Sequence, residues 1–216
     1  MTPLSFSTQA PRLAVWLVNL FTLPENAEVI TGDLLEEFSQ IGHQAGAVFA
    51  RRWYWRQTLK TIVHLIGTAY RTAPWLTAAG VAAGSLARRP LGKLVGAAIF
   101  AFLDRYQIPE LHFNLYVFLA TTGIDIGYVL VSLFVGCIAA IVAKQREMAA
   151  ATTLSLIFAV MTGAAVVSWV AEGHFWILQR LAWDFADMVA ILVGGAIVRT
   201  HRPAQHMSGN ENLQNP

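Results

Sequence analysis

Charge is what this sequence has least of. Charged residues make up 13% of its 216 positions and hydrophobic residues 56%, whereas soluble domains hold about 25% and about 45–50%. So few charges leave a water-facing fold with uncovered apolar surface. Hydrocarbon solvates that surface at little cost. Cysteine is nearly absent: Cys137, inside an apolar run, stands alone. An intrachain disulfide framework and a cysteine-only metal site are thereby excluded. A net charge of +2 is too small to mark nucleic acid as a partner. No GxSxG and no GxxxxGK[ST] occurs, so neither the nucleophile-elbow nor the phosphate-loop mechanism has a sequence to run on. The histidines, His43, His64, His112, His174, His201 and His206, show no HxxxH or HExxH spacing, and no metal ligand set follows. Neither a catalytic residue nor a cofactor is nominated. The start is read as lacking a cleavable signal: the run Leu13–Phe21 is short and ends in Leu-Pro-Glu, not in small residues.

What is present falls into three zones. Residues 1–60 are mixed in polarity and predict a helical module at the cytoplasm or membrane surface. Residues 61–200 are almost wholly apolar, and 201–216 form a polar tail expected to be disordered and cytoplasmic. The class expected is all-α, an integral membrane helical bundle. A transmembrane helix needs about 20 apolar residues, which predicts spans over about 67–87, 124–143, 149–171 and 179–198. The run from about 91 to 104 is too short to cross and predicts an interfacial or re-entrant helix. Basic residues flank the cytoplasmic ends of spans. Four spans place Arg51–Lys60, Lys144–Arg146 and Arg199–Arg202 inside, with both termini cytoplasmic. Arg88, Arg89 and Lys93 do not fit, because they would then lie outside.

In the first zone Thr22-Leu23-Pro24-Glu25 reads as a capping box. Ala27, Ile30, Leu34, Leu35, Phe38 and Ile41 follow at a helical period. Glu28, Asp33, Glu36 and Glu37 lie mostly off that stripe, so the helix is amphipathic and acidic. Next, Arg51, Arg52 and Arg56 interleave with Trp53, Tyr54 and Trp55. Basic residues beside Trp and Tyr suit the headgroup level of a membrane. Asp33, Glu36, Glu37, Arg51, Arg52, Trp53, Trp55 and Arg56 are thus the candidate surface for a protein partner or lipid. Alternatively, the acidic helix folds back on Arg51, Arg52 and Arg56.

These motifs also carry a resemblance. Thr31-Gly32-Asp33-Leu34-Leu35-Glu36-Glu37-Phe38 and Trp53-Tyr54-Trp55-Arg56-Gln57 resemble the cytoplasmic prefix segment of bacterial ABC-transporter permeases of the macrolide-exporter and lipoprotein-release type. The resemblance covers about residues 22–60. Those permeases hold a large extracytoplasmic domain between their first two spans, whereas here only Pro90–Thr122 is available. A shared membrane-proximal module is implied, and transport activity is not. The remainder resembles bacterial multi-pass membrane proteins, which implies the inner membrane.

Within the apolar zone, Gly80/Gly84 and Gly123/Gly127 are GxxxG pairs, and Gly194-Gly195 lies in the last span. Small residues let helix backbones approach closely in lipid. They predict packing inside one bundle or, failing that, a homo-oligomer seam. Asp125 begins one span, and Arg180, Asp184 and Asp187 lie along another. Arg180 and Asp184 share a helix face, as do Asp184 and Asp187. A carboxylate deep in lipid costs at least about 2.5–3.5 kcal/mol, so these residues must be paired, shielded or protonated. They form either a structural clamp or a site for a proton, a cation or a small ligand. The function expected is a non-enzymatic accessory or regulatory membrane subunit. The alternative is a small transporter or channel using Asp184, Asp187, Arg180 and Asp125. A membrane enzyme has only Asp104, Glu110 and His112 as raw material.

Overall fold

The structure is a computed structural model that describes residues 9–22, 24–173 and 177–201. Leu23 of the expected capping box, His174 and Trp176 before the last helix, and the tail 202–216 with His206 lie outside the described residues. Among the described residues all regular structure is helical. The chain divides into two compact units, with the division between Thr72 and Ala73.

The first unit holds α1 (Arg12–Phe21), α2 (Pro24–Ala45) and α3 (Ala47–Thr72). Gly46, at φ +87, separates α2 from α3. That left-handed conformation suits a residue without Cβ, and it ends a helix. Ala14 and Val18 of α1, Leu34 and Phe38 of α2, and Ala50 and Tyr54 of α3 form the core. Ile30 and Ile41 pack against it, so the apolar stripe of α2 faces inward at these positions. Leu35 does not follow the stripe and is exposed. The Phe38 and Tyr54 rings meet edge to face, centroids 5.5 Å apart, the arrangement their quadrupoles favour. Thr31 Oγ1 donates to Asn19 Oδ1 at 2.8 Å, tying α2 to α1. Tyr54 is fully buried, and among the described residues its hydroxyl has no hydrogen-bond partner. Burial raises the phenol above its ordinary value of 10.0.

The second unit begins with α4, a helix over Pro74–Arg105. The separate interfacial helix expected at 91–104 is its second half. Pro90 lies inside α4 on the exposed side, where losing one backbone N–H leaves the helix continuous. Residues 67–72 of the expected first span belong instead to α3. The module therefore extends past residue 60, because the helical period of α3 runs on to Thr72. Two short helices, α5 (Ile108–Leu111) and α6 (Phe113–Phe118), and a π-turn over Leu119–Gly123 lead into α7 (Ile124–Ala143). Lys144 takes φ +50 and a 3₁₀ turn follows. The chain thereby doubles back, so that α8 (Glu147–Ala171) lies beside α7. Helix α9 spans Ile177–His201 and packs on both. Two helical stretches, 113–171 with its reversal at Lys144 and 180–201, are long and apolar enough to cross a membrane.

The interior of this unit combines a branched core of Val131, Val135, Leu154 and Ile191 with many small side chains. Ala139, Ala140, Ala143, Ala149, Ala150, Ala151 and Ser132 are buried. Phe134, Ile141, Leu156, Val160, Met161 and Phe185 point outward. A Cβ on Gly80 would come within 2.6 Å of the Ala139 carbonyl, and one on Gly84 within 2.7 Å of Leu154. A Cβ on Gly127 would meet Val95 at 2.5 Å. The packing faces of Gly80, Gly84 and Gly127 are therefore occupied within the chain, whereas Gly123 meets only Leu119 of its own segment. Closest of all is the crossing of α7 and α9. A Cβ on Gly136 would overlap the Ile191 carbonyl, and one on Gly194 the Leu133 carbonyl.

Gly136→Ala should therefore lower the thermal stability of the full chain in detergent by about 1–3 kcal/mol. Gly163→Ala, whose Cβ would meet nothing within 4 Å, should not lower it. Equal stability of the two variants would contradict the close crossing. Tyr54→Phe removes a buried, unpartnered hydroxyl and should stabilise the module by about 1 kcal/mol. Since folding raises the phenol, its contribution is fully present below pH 10 and lost as pH climbs through the elevated value. Hydrogen exchange of α3 amides across alkaline pH reads both effects, and Tyr54→Phe should flatten the profile.

Candidate functional site

The charged side chains of the second unit converge on its interior. Arg88 sits near the middle of α4, on the face that carries Gly80, Gly84 and Gly92 at intervals of four. Those glycines bring α4 against α7 and α8, and Arg88 inherits that inward direction. Its Nη2 donates to Asp187 Oδ2 of α9 at 2.9 Å. Its Nη1 donates to Ser132 Oγ of α7 at 3.4 Å. Its guanidinium lies 4.1 Å from the centroid of the Phe158 ring of α8, a cation–π contact. One side chain from one helix thus touches the other three long helices of the unit. Ser132, Phe158 and Asp187 each lie near the middle of their helices as well.

The exposed fraction of the Arg88 side chain is 26% and that of Asp187 is 14%, so this pair is largely withdrawn from the surroundings. Asp187 Oδ1 is buried with no hydrogen-bond partner among the described residues. Toward one end of the bundle, Arg180 lies 4.0 Å from both Asp125 of α7 and Asp184 of its own helix. With Arg180 half exposed, these two contacts are the weaker part of the cluster. At the opposite end, Arg199 of α9 lies 3.7 Å from Glu147 of α8, whose side chain is 1% exposed. Helix α9 is therefore ion-paired to α4, α7 and α8 at three heights. Ser155 Oγ donates to the Met188 carbonyl at 3.2 Å, and the Cys137 thiol to the Gly194 carbonyl at 3.4 Å. These bonds tie α8 and α7 to the same helix.

The acidic residues singled out in the apolar zone, Asp125, Asp184 and Asp187, thus occupy one cluster with Arg180. Sequence reasoning missed Arg88, Ser132, Phe158 and the Glu147–Arg199 pair. Arg88 carried a usable signal, since it continues the Gly80–Gly84 interval by another four residues. Among the described residues, no three His, Cys, Asp or Glu side chains are arranged to hold a metal ion. Glu110 and His112 stand on the α5–α6 segment, where His112, Phe113, Asn114 and Leu115 line an open depression.

The first unit presents the opposite pattern. Asp33, Glu36, Glu37, Arg51, Arg52 and Arg56 are all exposed. None of the six forms an ion pair among the described residues, and α2 packs on α3 through Leu34, Phe38, Ala50 and Tyr54. Trp53 packs against the core, whereas Trp55 is exposed together with Val48, Phe49, Leu59 and Val63. Val48, Arg52, Trp55, Leu59 and Val63 share one face of α3 at helical spacing.

The chain matches no family model, no curated protein and no solved structure.

If the Arg88–Asp187 pair holds the bundle together, Asp187→Ala should cost about 3–5 kcal/mol, because it strands a buried guanidinium. Replacing both partners, Arg88→Met with Asp187→Leu, should recover most of that loss. Thermal unfolding of the purified chain in detergent reads both values. An Asp187→Ala chain as stable as the parent would contradict the assignment.

Proposed function

We propose that this protein is a non-enzymatic accessory or regulatory subunit of a bacterial inner membrane, held there by α4, α7, α8 and α9 and working through its amino-terminal helical module. The carrying observation is the contrast in charge pairing. In the bundle, Arg88, Asp187, Arg180, Asp125, Asp184, Glu147 and Arg199 all have partners within the chain. In the module, Asp33, Glu36, Glu37, Arg51, Arg52 and Arg56 have no ion-pair partner among the described residues and face outward. A bundle whose inward-facing charges are paired with one another suits an anchor. A helical surface whose charges are unspent suits recognition of a partner or of headgroups.

Small residues inside and large aliphatic and aromatic residues outside support residence in lipid, where close backbone contact drives helix association. At about 1.5 Å per residue, α4 exceeds the roughly 30 Å of hydrocarbon. The Arg88–Asp187 pair offsets the penalty of about 2.5–3.5 kcal/mol that each charge would meet alone at mid-depth. It also gives Arg88 an intramembrane place, which removes one of the misfits to the positive-inside rule. Gly80 packs near Ala143 and Ala150, and Glu147 meets Arg199. The start of α4, the Lys144–Arg146 turn and the end of α9 therefore share one end of the bundle. Basic residues gathered there favour a cytoplasmic face, with both termini inside.

A second reading, a small transporter or channel, is favoured by a specific imbalance. The interior cluster holds three carboxylates, Asp125, Asp184 and Asp187, against two guanidinium groups, Arg88 and Arg180. One carboxylate in excess suits binding of a proton or cation.

The two readings separate experimentally. Asp33→Asn, Glu36→Gln and Glu37→Gln together should abolish recovery of a stoichiometric partner from native membranes while insertion stays normal. Asp125→Asn with Asp184→Asn leaves the Arg88–Asp187 pair in place and should leave that recovery intact. Proton-linked flux in vesicles that is lost in the Asp125→Asn/Asp184→Asn chain, with partner recovery indifferent to the module's charges, would replace the accessory role by transport.

A further inference from the structure

Between Arg88 and the terminal Arg105, helix α4 carries two more cations, and neither enters the bundle. Arg89 and Lys93 lie one turn apart and are both exposed. Neither forms an ion pair among the described residues. Arg89 adjoins Arg88 and sits at the height of the interior ion pair, while Lys93 lies one turn further along α4. The same outward lane carries Ala78, Ala82, Ser85 and Ala97, with Leu86 the one large side chain among them, all exposed and at helical spacing with Arg89 and Lys93. A Cβ placed on Gly96 would meet nothing. Elsewhere the unit's surface bears more bulk, with Trp75, Leu94 and Phe100 on α4, Phe134 and Ile141 on α7, Leu156 and Val160 on α8, and Phe185 on α9.

We infer that this lane of α4 is the docking face for a membrane-spanning helix of a partner protein that carries an aspartate or glutamate near its middle. The inference rests on the reading that α4 crosses the membrane. Two bare cations on a spanning helix, one of them level with the buried ion pair, are disfavoured in lipid, and a carboxylate brought by a partner removes that penalty. Small residues along the lane permit the close helix approach such a pair needs. Charge complementarity chooses this occupant over the others. Long cationic side chains reach headgroups from helix ends and not from mid-span, so phosphate is out of range. A second copy of this chain facing the lane with its own α4 would oppose cation to cation. The mid-height carboxylates of a copy, Asp184 and Asp187, are already turned to Arg180 and Arg88.

The test uses the full chain in native membranes with a photo-crosslinking amino acid at Ser85 or Ala97. The expected adduct is a membrane protein whose crosslinked helix contains Asp or Glu. Arg89→Gln with Lys93→Gln should reduce its yield by at least about tenfold, and Arg89→Lys with Lys93→Arg should retain it. Arg89→Asp with Lys93→Asp should recover the adduct when the partner's carboxylate is changed to Lys, a rescue that misfolding cannot produce. Adducts confined to lipid or to a second copy, or a yield indifferent to these charges, would overturn the inference. Alongside, Ala82→Cys in a Cys137→Ala chain is probed with a membrane-impermeant maleimide. Labelling would remove the spanning reading and the docking face with it. Protection without a charge-dependent adduct would remove the docking face alone.

Discussion

The second unit is organised around one ion pair, Arg88 with Asp187. Its weight comes from where it sits. Each partner projects from the middle of a long helix toward the others, where few polar groups are available to compensate a lone charge. Withdrawing either partner would strand the other, so α4 and α9 must be held together for both to be tolerated. Ser132 and Phe158 complete the surroundings of the guanidinium and extend the constraint to α7 and α8. The contact selects one arrangement of helices whose apolar surfaces would accept many, as expected where packing alone specifies weakly.

Glycine and alanine make that pair reachable. Arg88 shares its face with Gly80, Gly84 and Gly92, and the bulk missing there lets α4 lie against Val135, Ala139 and Leu154. Gly136 and Gly194 do the same for α7 and α9. The large residues this displaces, such as Phe134 and Phe185, form the outer surface. The design is inverted relative to a water-soluble bundle, whose large side chains fill the core. The first unit follows the ordinary rule, with Phe38 and Tyr54 inside and its charges out. One chain thus combines two packing patterns, divided at Thr72.

Most of the helical content was legible because runs such as 124–143 and 149–171 leave no alternative to helix. The stripe through Leu34 and Phe38 was equally clear, since its period survives between exposed acids. The acids Asp125, Asp184 and Asp187 stood out because charge is rare in their surroundings. The continuity of α4 was not legible. Arg88-Arg89-Pro90 reads as a break between two short apolar runs, and only its neighbours in space show that the helix continues and that Arg88 has a counter-charge. Ser132 and Phe158 look like any serine and phenylalanine in an apolar run, and their role exists only through Arg88. The Glu147–Arg199 pair was hidden for a related reason, because each residue marks the end of a run and their meeting depends on the hairpin at Lys144.

The depth of the bundle tests this account most directly. In a Cys137→Ala chain reconstituted in bilayers, a nitroxide at Phe134 or Phe185 points outward near the height of Arg88, and its collision rates with oxygen and with a water-soluble nickel complex report depth. The account predicts high oxygen and negligible nickel accessibility at both positions. Nickel accessibility equal to that of a label at the exposed Glu36 would mean that these surfaces face water, and the bundle, its buried pair and its proposed role as an anchor would all need to be reassigned.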